Sequence, residues 1–155
     1  MKLSIHEIRN MKGDINGFAD IIHNHFLYLS QRPELQHNVY EIRRLLSGND
    51  TISFVVYDND KIIAYLIGEI KHLNDGRTAY YVSYLYVCQK YRNKKIGTKL
   101  MKIVINKAKE SDIRYVILTC DTNDKKVYEF YQKLGFMPDH ILRNYGRHEV
   151  MTLYL

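Results

Sequence analysis

The sequence predicts an α/β fold, built as a single domain of 155 residues in which strands and helices alternate. Three observations lead to this prediction. Runs rich in aromatic and β-branched residues, such as residues 80–87, are typical of strands. The segments between such runs carry apolar residues at helical spacing. The length suits one hydrophobic core, and the chain shows no internal repeat, low-complexity tract or linker.

The first third of the chain is predicted to form a strand and two helices. Residues 3–9 alternate apolar and polar side chains, as a short strand does. Over residues 14–30 the apolar positions return near every 3.6 residues, and Asp14 is a suitable N-cap. Pro33 can open a second helix, which runs through residues 41–46 and stops at the polar turn that follows.

Strands dominate the middle of the chain. A β-hairpin is predicted from residues 51–57 and 61–70, with Asp58, Asn59 and Asp60 forming its turn. A loop over residues 72–78 then leads into the aromatic strand 80–87.

The last part of the chain continues the alternation. A helix over residues 96–108 is followed by a short buried strand at 114–119. A second helix over 124–134 ends at Gly135, where glycine can close the last turn. Residues 136–155 are predicted to form a final hairpin around the turn Asn144, Tyr145 and Gly146.

Composition restricts the classes of function. The formal net charge of +6 suggests an acidic partner, such as a polyanionic cofactor, and nucleic acid is an alternative that rests on charge alone. No apolar run is long enough to span a membrane, and the start lacks the apolar core of a signal peptide, so we expect a cytoplasmic protein. Cys88 and Cys120 are expected to be reduced thiols. His23 and His25 lie on different helix faces, and no metal site is expected.

The strongest motif is the basic turn between the aromatic strand and the next helix. A strand that enters a helix through a short turn points several backbone N–H groups at one place, which favours an anion, usually a phosphate. The turn comprises Arg92, Asn93, Lys94, Lys95, Ile96, Gly97 and Thr98.

This turn resembles the acetyl-coenzyme A signature of the GNAT N-acetyltransferases, which is arginine or glutamine, two residues, glycine, one residue, then glycine or alanine. Arg92 and Gly97 match its two ends. Lys95 stands where the family usually has its first glycine, a residue that lets the backbone approach the pyrophosphate without a Cβ. The positive charge of Lys95 could compensate.

A second block, residues 128–136, resembles the tyrosine, lysine and Gly-Phe ending that GNAT proteins carry downstream. Asp124, preceded by Asn123, stands where the family often has an asparagine. Together the two blocks cover roughly residues 78–140.

The resemblance implies the GNAT fold, a mixed and mainly antiparallel sheet of six or seven strands with helices on both faces, splayed beside the aromatic strand. It implies that acetyl-CoA binds as the acyl donor, with its pyrophosphate on the turn and its pantetheine arm along the strand, and that no metal takes part. A backbone N–H near Leu85 or Tyr86 would polarise the acetyl carbonyl. The implied cofactor-binding residues are Leu85, Tyr86, Val87, Arg92, Asn93, Lys94, Lys95, Ile96, Gly97, Thr98, Asn123 and Asp124.

The same resemblance suggests catalytic residues. Tyr131 matches the family tyrosine that protonates the departing thiolate, although in a chain with 14 tyrosines it could serve packing alone. The aromatic strand 80–87 also resembles the corresponding strand of polyamine acetyltransferases. Those enzymes carry carboxylates at the positions of Ser83 and Tyr84. Glu69 is the hypothetical replacement base, and an ordinary strand-end carboxylate is the alternative. His148 could line an acceptor site or lie at the surface.

The predicted function is therefore direct transfer of acetyl to a primary amine of an unidentified small molecule or protein, through a tetrahedral intermediate and without an acetyl-enzyme. Two alternatives stay open. One is a non-catalytic GNAT-fold protein that binds coenzyme A weakly or structurally, and the other is a basic nucleic-acid-binding module. GNAT domains often dimerise, so a homodimer is also open.

Overall fold

The structure is a computed structural model that describes residues 2–31, 37–142 and 148–155, without the side chains of Ser30 and Gln31. Its elements in chain order are β1 (Leu3–Glu7), α1 (Ile15–His25), α2 (Val39–Ser47), β2 (Phe54–Asp58), β3 (Lys61–His72), β4 (Thr78–Val87), α3 (Ile96–Glu110), β5 (Tyr115–Asp121), α4 (Lys125–Lys133), β6 (Met137–Pro138) and β7 (His148–Tyr154).

The seven strands form one sheet in the order β1-β2-β3-β4-β5-β7-β6. All neighbouring strands are antiparallel except β4 and β5, which are parallel. One core lies between the sheet and α3 with α4, and a second core lies between the other face and α1 with α2. The predicted fold class, a mixed and mainly antiparallel sheet with helices on both faces, is confirmed.

The helices near the start of the chain are shorter than predicted. α1 ends at His25 rather than Ser30, because Phe26 leaves the helical conformation and a short 3-10 helix, Leu27–Gln31, follows. The Asp14 N-cap is confirmed, with its carboxylate accepting the Gly17 N–H at 2.7 Å.

The second helix begins later than predicted and has a different start signal. α2 begins at Val39, and the Asn38 side chain caps it by accepting the Glu41 N–H at 2.9 Å. Pro33, the predicted start, lies outside the described residues. Across the described ranges, none of the helices combines the length and the apolar character that a membrane span requires.

Two strands are also shorter than the sequence suggested. β2 begins at Phe54, since Ser53 uses its hydroxyl to bond the backbone of Gly68 and Thr51 makes only an isolated bridge to Glu69. β6 contains only two residues and ends at Pro138, which has no N–H to donate to a ladder. The predicted turn at 144–146 lies outside the described residues.

A gap opens in the sheet between β4 and β5. Their pairing covers only residues 80–82 of β4, opposite 116–118 of β5. In the same region β4 contains a bulge, because Gly68 pairs with Val82 whereas the preceding residue, Ile67, pairs with Tyr84. Beyond the bulge β4 stays with β3, while β5 stays with β7. The splay implied by the family resemblance is therefore present.

Candidate active site

The turn before α3 adopts the backbone shape of an anion-binding loop. Lys95 has φ 62° and ψ 20°, and Asn93 has φ 63°, so both lie in the left-handed region that glycine favours. No side chain caps the N-terminus of α3, and its first turn contains no acidic residue. The first N–H groups of this 15-residue helix therefore lack an intrahelical acceptor and can bind an anion.

Contacts around the turn fix its position against β4 and α4. The Arg92 side chain folds back, and its Nε donates to the Val87 carbonyl at 2.8 Å. Gly97 faces the Phe130 ring of α4, where an added Cβ would make ordinary van der Waals contact at 3.4 Å. Ile96 is buried in the core, while Asn93 to Lys95 are exposed.

The edge of β4 that faces the gap carries backbone groups that do not bond to β3. The Cys88 N–H donates to the Ile63 carbonyl at 2.8 Å. Because hydrogen-bonded and non-bonded pairs alternate along an antiparallel ladder, Tyr86 bonds to β3, whereas Leu85 and Val87 turn their N–H and C=O groups away from β3. Two of the three strand residues implied in cofactor binding thus face the gap.

Tyr131 lies on α4 at the side of the gap. It is only 8% exposed, and its ring packs between those of Phe130 and Phe136. Burial raises the pKa of its hydroxyl, and the nearby Cys120 and Tyr28 add to the effect. Within the described part of the chain this hydroxyl has no hydrogen-bond partner. Tyr131 is therefore a protonated phenol with a free donor.

Asp124 and Asn123 form the start of α4 beside the gap. The Asp124 carboxylate caps the helix by accepting the Val127 N–H at 3.3 Å. The Asn123 N–H donates to the carboxylate of Asp121 at 2.9 Å. Asp124, at the position where the family often has asparagine, thus serves as the N-cap of α4.

Glu69 and His148 lie on the sheet face that carries α1 and α2. Glu69 is opposite Tyr81, beside the closed end of the gap, where the Tyr81 hydroxyl and Thr119 Oγ1 are 2.8 Å apart. Its charge adds to the effect of Glu41 in raising the pKa of Arg44. His148 is 5% exposed, so surface placement is wrong for it.

Sequence analysis missed a cluster of tyrosines and histidines on this face, which we call the tyrosine-histidine cluster. The hydroxyl of Tyr84 lies 2.8 Å from Nδ1 of His37, and that of Tyr65 lies 2.9 Å from Nδ1 of His25. The His25 ring also stacks on Tyr86 at 4.0 Å between centroids. The alternating tyrosines of β4 were a signal of this cluster, but their histidine partners are distant in sequence.

The sequence matches the family described as "Acetyltransferase (GNAT) family" over residues 18–136. N-alpha-acetyltransferase 30 of Xenopus laevis is 26% identical over 119 residues, which cover 77% of this chain and 44% of that protein. The chain spans less than half the length of the curated relatives it matches.

Solved structures share the fold at low identity. Arabidopsis thaliana NAA60 in complex with a bisubstrate analogue superposes with a TM-score of 0.74 at 13% identity, over 99% of this chain and 98% of that one. Arabidopsis thaliana Naa50, also in complex with a bisubstrate analogue, gives a TM-score of 0.72 at 18% identity over all of both chains.

The family match contains the turn at Arg92, the parted strands and Tyr131, and it covers most of the described sheet. The chain belongs to the GNAT acetyltransferase family.

Proposed function

We propose that this protein transfers an acetyl group from acetyl-CoA to a primary amine by direct attack of the amine on the thioester. The observation that carries the proposal is the gap between β4 and β5, which opens beside the uncapped N-terminus of α3. A cofactor whose pyrophosphate lies on that turn can extend its arm along β4 to the gap. A. thaliana NAA60 has been solved in complex with acetyl-CoA, which supports the choice of donor.

The donor would be held mainly by backbone groups. The N–H groups of residues 93–98 would bind the pyrophosphate, with the charges of Lys94 and Lys95 nearby. Leu85 and Val87 would pair with the pantetheine arm as an added strand does. The Leu85 N–H is the donor best directed to polarise the acetyl carbonyl, because the N–H of Tyr86 bonds to β3.

Tyr131 would give its proton to the leaving thiolate. A buried phenol with a raised pKa stays protonated at neutral pH and can donate. Covalent catalysis by Cys120 is disfavoured, since burial foremost raises the pKa of its thiol to about 12. The tetrahedral intermediate would therefore form directly between amine and thioester.

The acceptor we propose is the α-amine at the N-terminus of a protein. An α-amine has a pKa near 8, so about a tenth of it is neutral at pH 7, compared with fewer than about one in a thousand lysine side chains. An acceptor of low pKa suits a site with Ser83 and Tyr84 where polyamine acetyltransferases carry carboxylates. The relatives named N-alpha-acetyltransferase support this acceptor class.

Calorimetric titration with acetyl-CoA and with acetyl-pantetheine, which lacks the pyrophosphate, tests the donor site. Micromolar binding that requires the pyrophosphate supports the proposal, and the absence of binding favours the non-catalytic alternative.

Acetylation of a peptide with a free N-terminus, compared with the same peptide blocked at its N-terminus and carrying one internal lysine, then tests the acceptor. Faster acetylation of the lysine peptide would refute the α-amine assignment.

A further inference from the structure

A buried tyrosine and histidine lie next to the residue whose backbone faces the gap. Tyr84 follows the bulge of β4 directly and precedes Leu85. Its hydroxyl is 2.8 Å from Nδ1 of His37, and the two residues are 9% and 8% exposed.

Burial bears on the charge state of both groups. Burial raises the pKa of Tyr84 and lowers that of His37, so both groups are uncharged at neutral pH. The backbone carbonyl of His23 is a polar neighbour of the His37 ring and attracts a ring N–H. Buried Nε2 makes no hydrogen bond among the described residues. In the tautomer with hydrogen on Nε2, Nδ1 accepts the Tyr84 hydroxyl.

We infer that Tyr84 and His37 form a proton relay that removes the proton from the acceptor amine. The inference rests on the proposed acetyl transfer and supplies the base that transfer requires. Tyr84 touches the amine and is the catalytic residue of the relay. His37 acts through Tyr84 and is a positioning residue that also stores the proton.

The proton transfers balance as follows. The ammonium group of the acceptor gives one proton to the Tyr84 oxygen, while the original Tyr84 proton moves to Nδ1 of His37 and makes an imidazolium. The neutral amine nitrogen forms its bond to the acetyl carbon, and the C–S bond then breaks. Tyr131 gives its proton to the departing thiolate and recovers one from the second proton that the former ammonium nitrogen loses, and the imidazolium releases its proton to water.

Other titratable groups lie near the relay, including Tyr65 of β3, whose pKa Tyr84 helps to raise. The His23 ring of α1 stacks on His37 with centroids 4.9 Å apart. Tyr81 of β4 and Tyr28 of the 3-10 helix add to the effect of burial on the pKa of Tyr84. Tyr28 also raises the pKa of Tyr131, so it lies near both phenols. Glu69 is the rival acceptor of the amine proton.

The kinetic test uses two nucleophiles on one peptide sequence, an N-terminal α-amine and an N-terminal aminooxy group that is uncharged at about pH 6.5. Tyr84→Phe and His37→Asn should each lower kcat/KM for the α-amine peptide by about 100-fold at this pH. Both should leave the aminooxy peptide within about 3-fold of wild type. The loss should shrink above about pH 8, where the α-amine is already neutral.

Controls separate the relay from structural damage and from Glu69. Tyr57→Phe removes another buried hydroxyl, bonded to the backbone of Lys12, far from the gap, and should leave both rates unchanged. Equal losses for both nucleophiles in Tyr84→Phe would overturn the relay. So would Glu69→Gln abolishing the acidic limb of the wild-type profile. A wild-type protein that acetylates neither peptide would refute the proposed function itself.

A second measurement does not depend on activity. Nitrogen NMR of histidine-labelled wild-type protein reports which ring nitrogen of His37 carries hydrogen. We expect hydrogen on Nε2 and a bare Nδ1 that changes its shift in Tyr84→Phe. Hydrogen on Nδ1 would mean that His37 donates to Tyr84, and it would overturn the relay even in an active enzyme.

Discussion

At Lys95 a side chain occupies a backbone conformation that usually costs about 1 kcal/mol or more for any residue with a Cβ. Lys95→Gly should therefore raise the free energy of unfolding by about 0.5 kcal/mol, since the relieved strain exceeds the added entropy of the unfolded chain. Urea denaturation measures this change. The expected effect on acetyl-CoA is weaker binding by a few fold, because a positive charge beside the pyrophosphate is lost.

Lys94→Gly is the matched control for this prediction, because it removes the same charge type from the same turn at a position without positive φ. It should lower the free energy of unfolding by about 0.5–1 kcal/mol. If Lys95→Gly destabilised the protein as much as Lys94→Gly does, the left-handed conformation at Lys95 would not be present in solution.

Tyr131→Phe tests the acid at the thiolate. A coenzyme A thiol with a pKa near 8.5 leaves fairly well unaided, so we expect kcat to fall by about 10- to 100-fold without reaching zero. The KM for acetyl-CoA should stay nearly constant. Tyr128→Phe on the same helix removes a hydroxyl that donates to Glu149 at 3.0 Å, and its kcat should remain close to wild type. An equal loss of kcat in both variants would contradict the role of Tyr131.

Single residues of the site differ in how well the sequence foretold them. Arg92, Gly97 and Tyr131 belong to local motifs, so the chain places them within one turn or one helix. The contact between His37 and Tyr84 joins residues 47 positions apart and depends on how α2 approaches the sheet. No local pattern carries that information. The left-handed backbone conformation at Lys95 was likewise not predicted, because that conformation is expected at glycine rather than at lysine.

At the scale of elements, composition was informative wherever one face is buried. β4 and α3 were foreseen because aromatic runs and a 3.6-residue period reflect a continuous core. The start of β4, the end of α3 and the bulge of β4 were not foreseen. The bulge of β4 lies opposite Gly68, where any Cβ would collide with the ring of Tyr80 and with the backbone of Tyr81, so its cause is in the neighbouring strand.

Asp124 caps α4, and substitutions there distinguish its structural role from a role in cofactor binding. Asp124→Ala should lower the free energy of unfolding by about 1 kcal/mol, because the Val127 N–H loses its acceptor. Asp124→Asn should keep stability within a few tenths of a kcal/mol, since asparagine caps equally well. It should also tighten acetyl-CoA binding, because a negative charge beside a polyanion is removed. Urea denaturation and calorimetry measure the two effects, and weaker binding by Asp124→Asn would contradict the second.

At the scale of the whole molecule, one buried ionic network ties the loop after β3 to the end of β6. Arg77 donates to Asp139 at 2.8 Å and to Asp75 at 2.8 Å, and its side chain is 10% exposed. The Thr152 hydroxyl of β7 donates to the fully buried Asp139 carboxylate as well. This network fixes β6 and β7 against the β4 side of the sheet, and it makes the fold sensitive to acid.

The acid sensitivity has a definite sign. Burial alone would raise the pKa of Asp139, but the bonds from Arg77, Leu142 and Thr152 outweigh burial and hold it well below its usual range. A carboxyl with a lowered pKa in the folded state stabilises the protein above its unfolded pKa of about 3.9, and this contribution is lost as the pH falls further. Asp139→Asn should therefore cost about 3 kcal/mol near pH 7, with the difference from wild type shrinking below about pH 4. Urea denaturation between about pH 2 and pH 7 measures both the cost near pH 7 and its decrease at low pH.

Asp60→Asn, at a 93% exposed carboxylate paired with Lys12, is the control and should cost less than about 1 kcal/mol at every pH. A constant difference for Asp139→Asn across this range would show that the folded protein does not depress the pKa of Asp139.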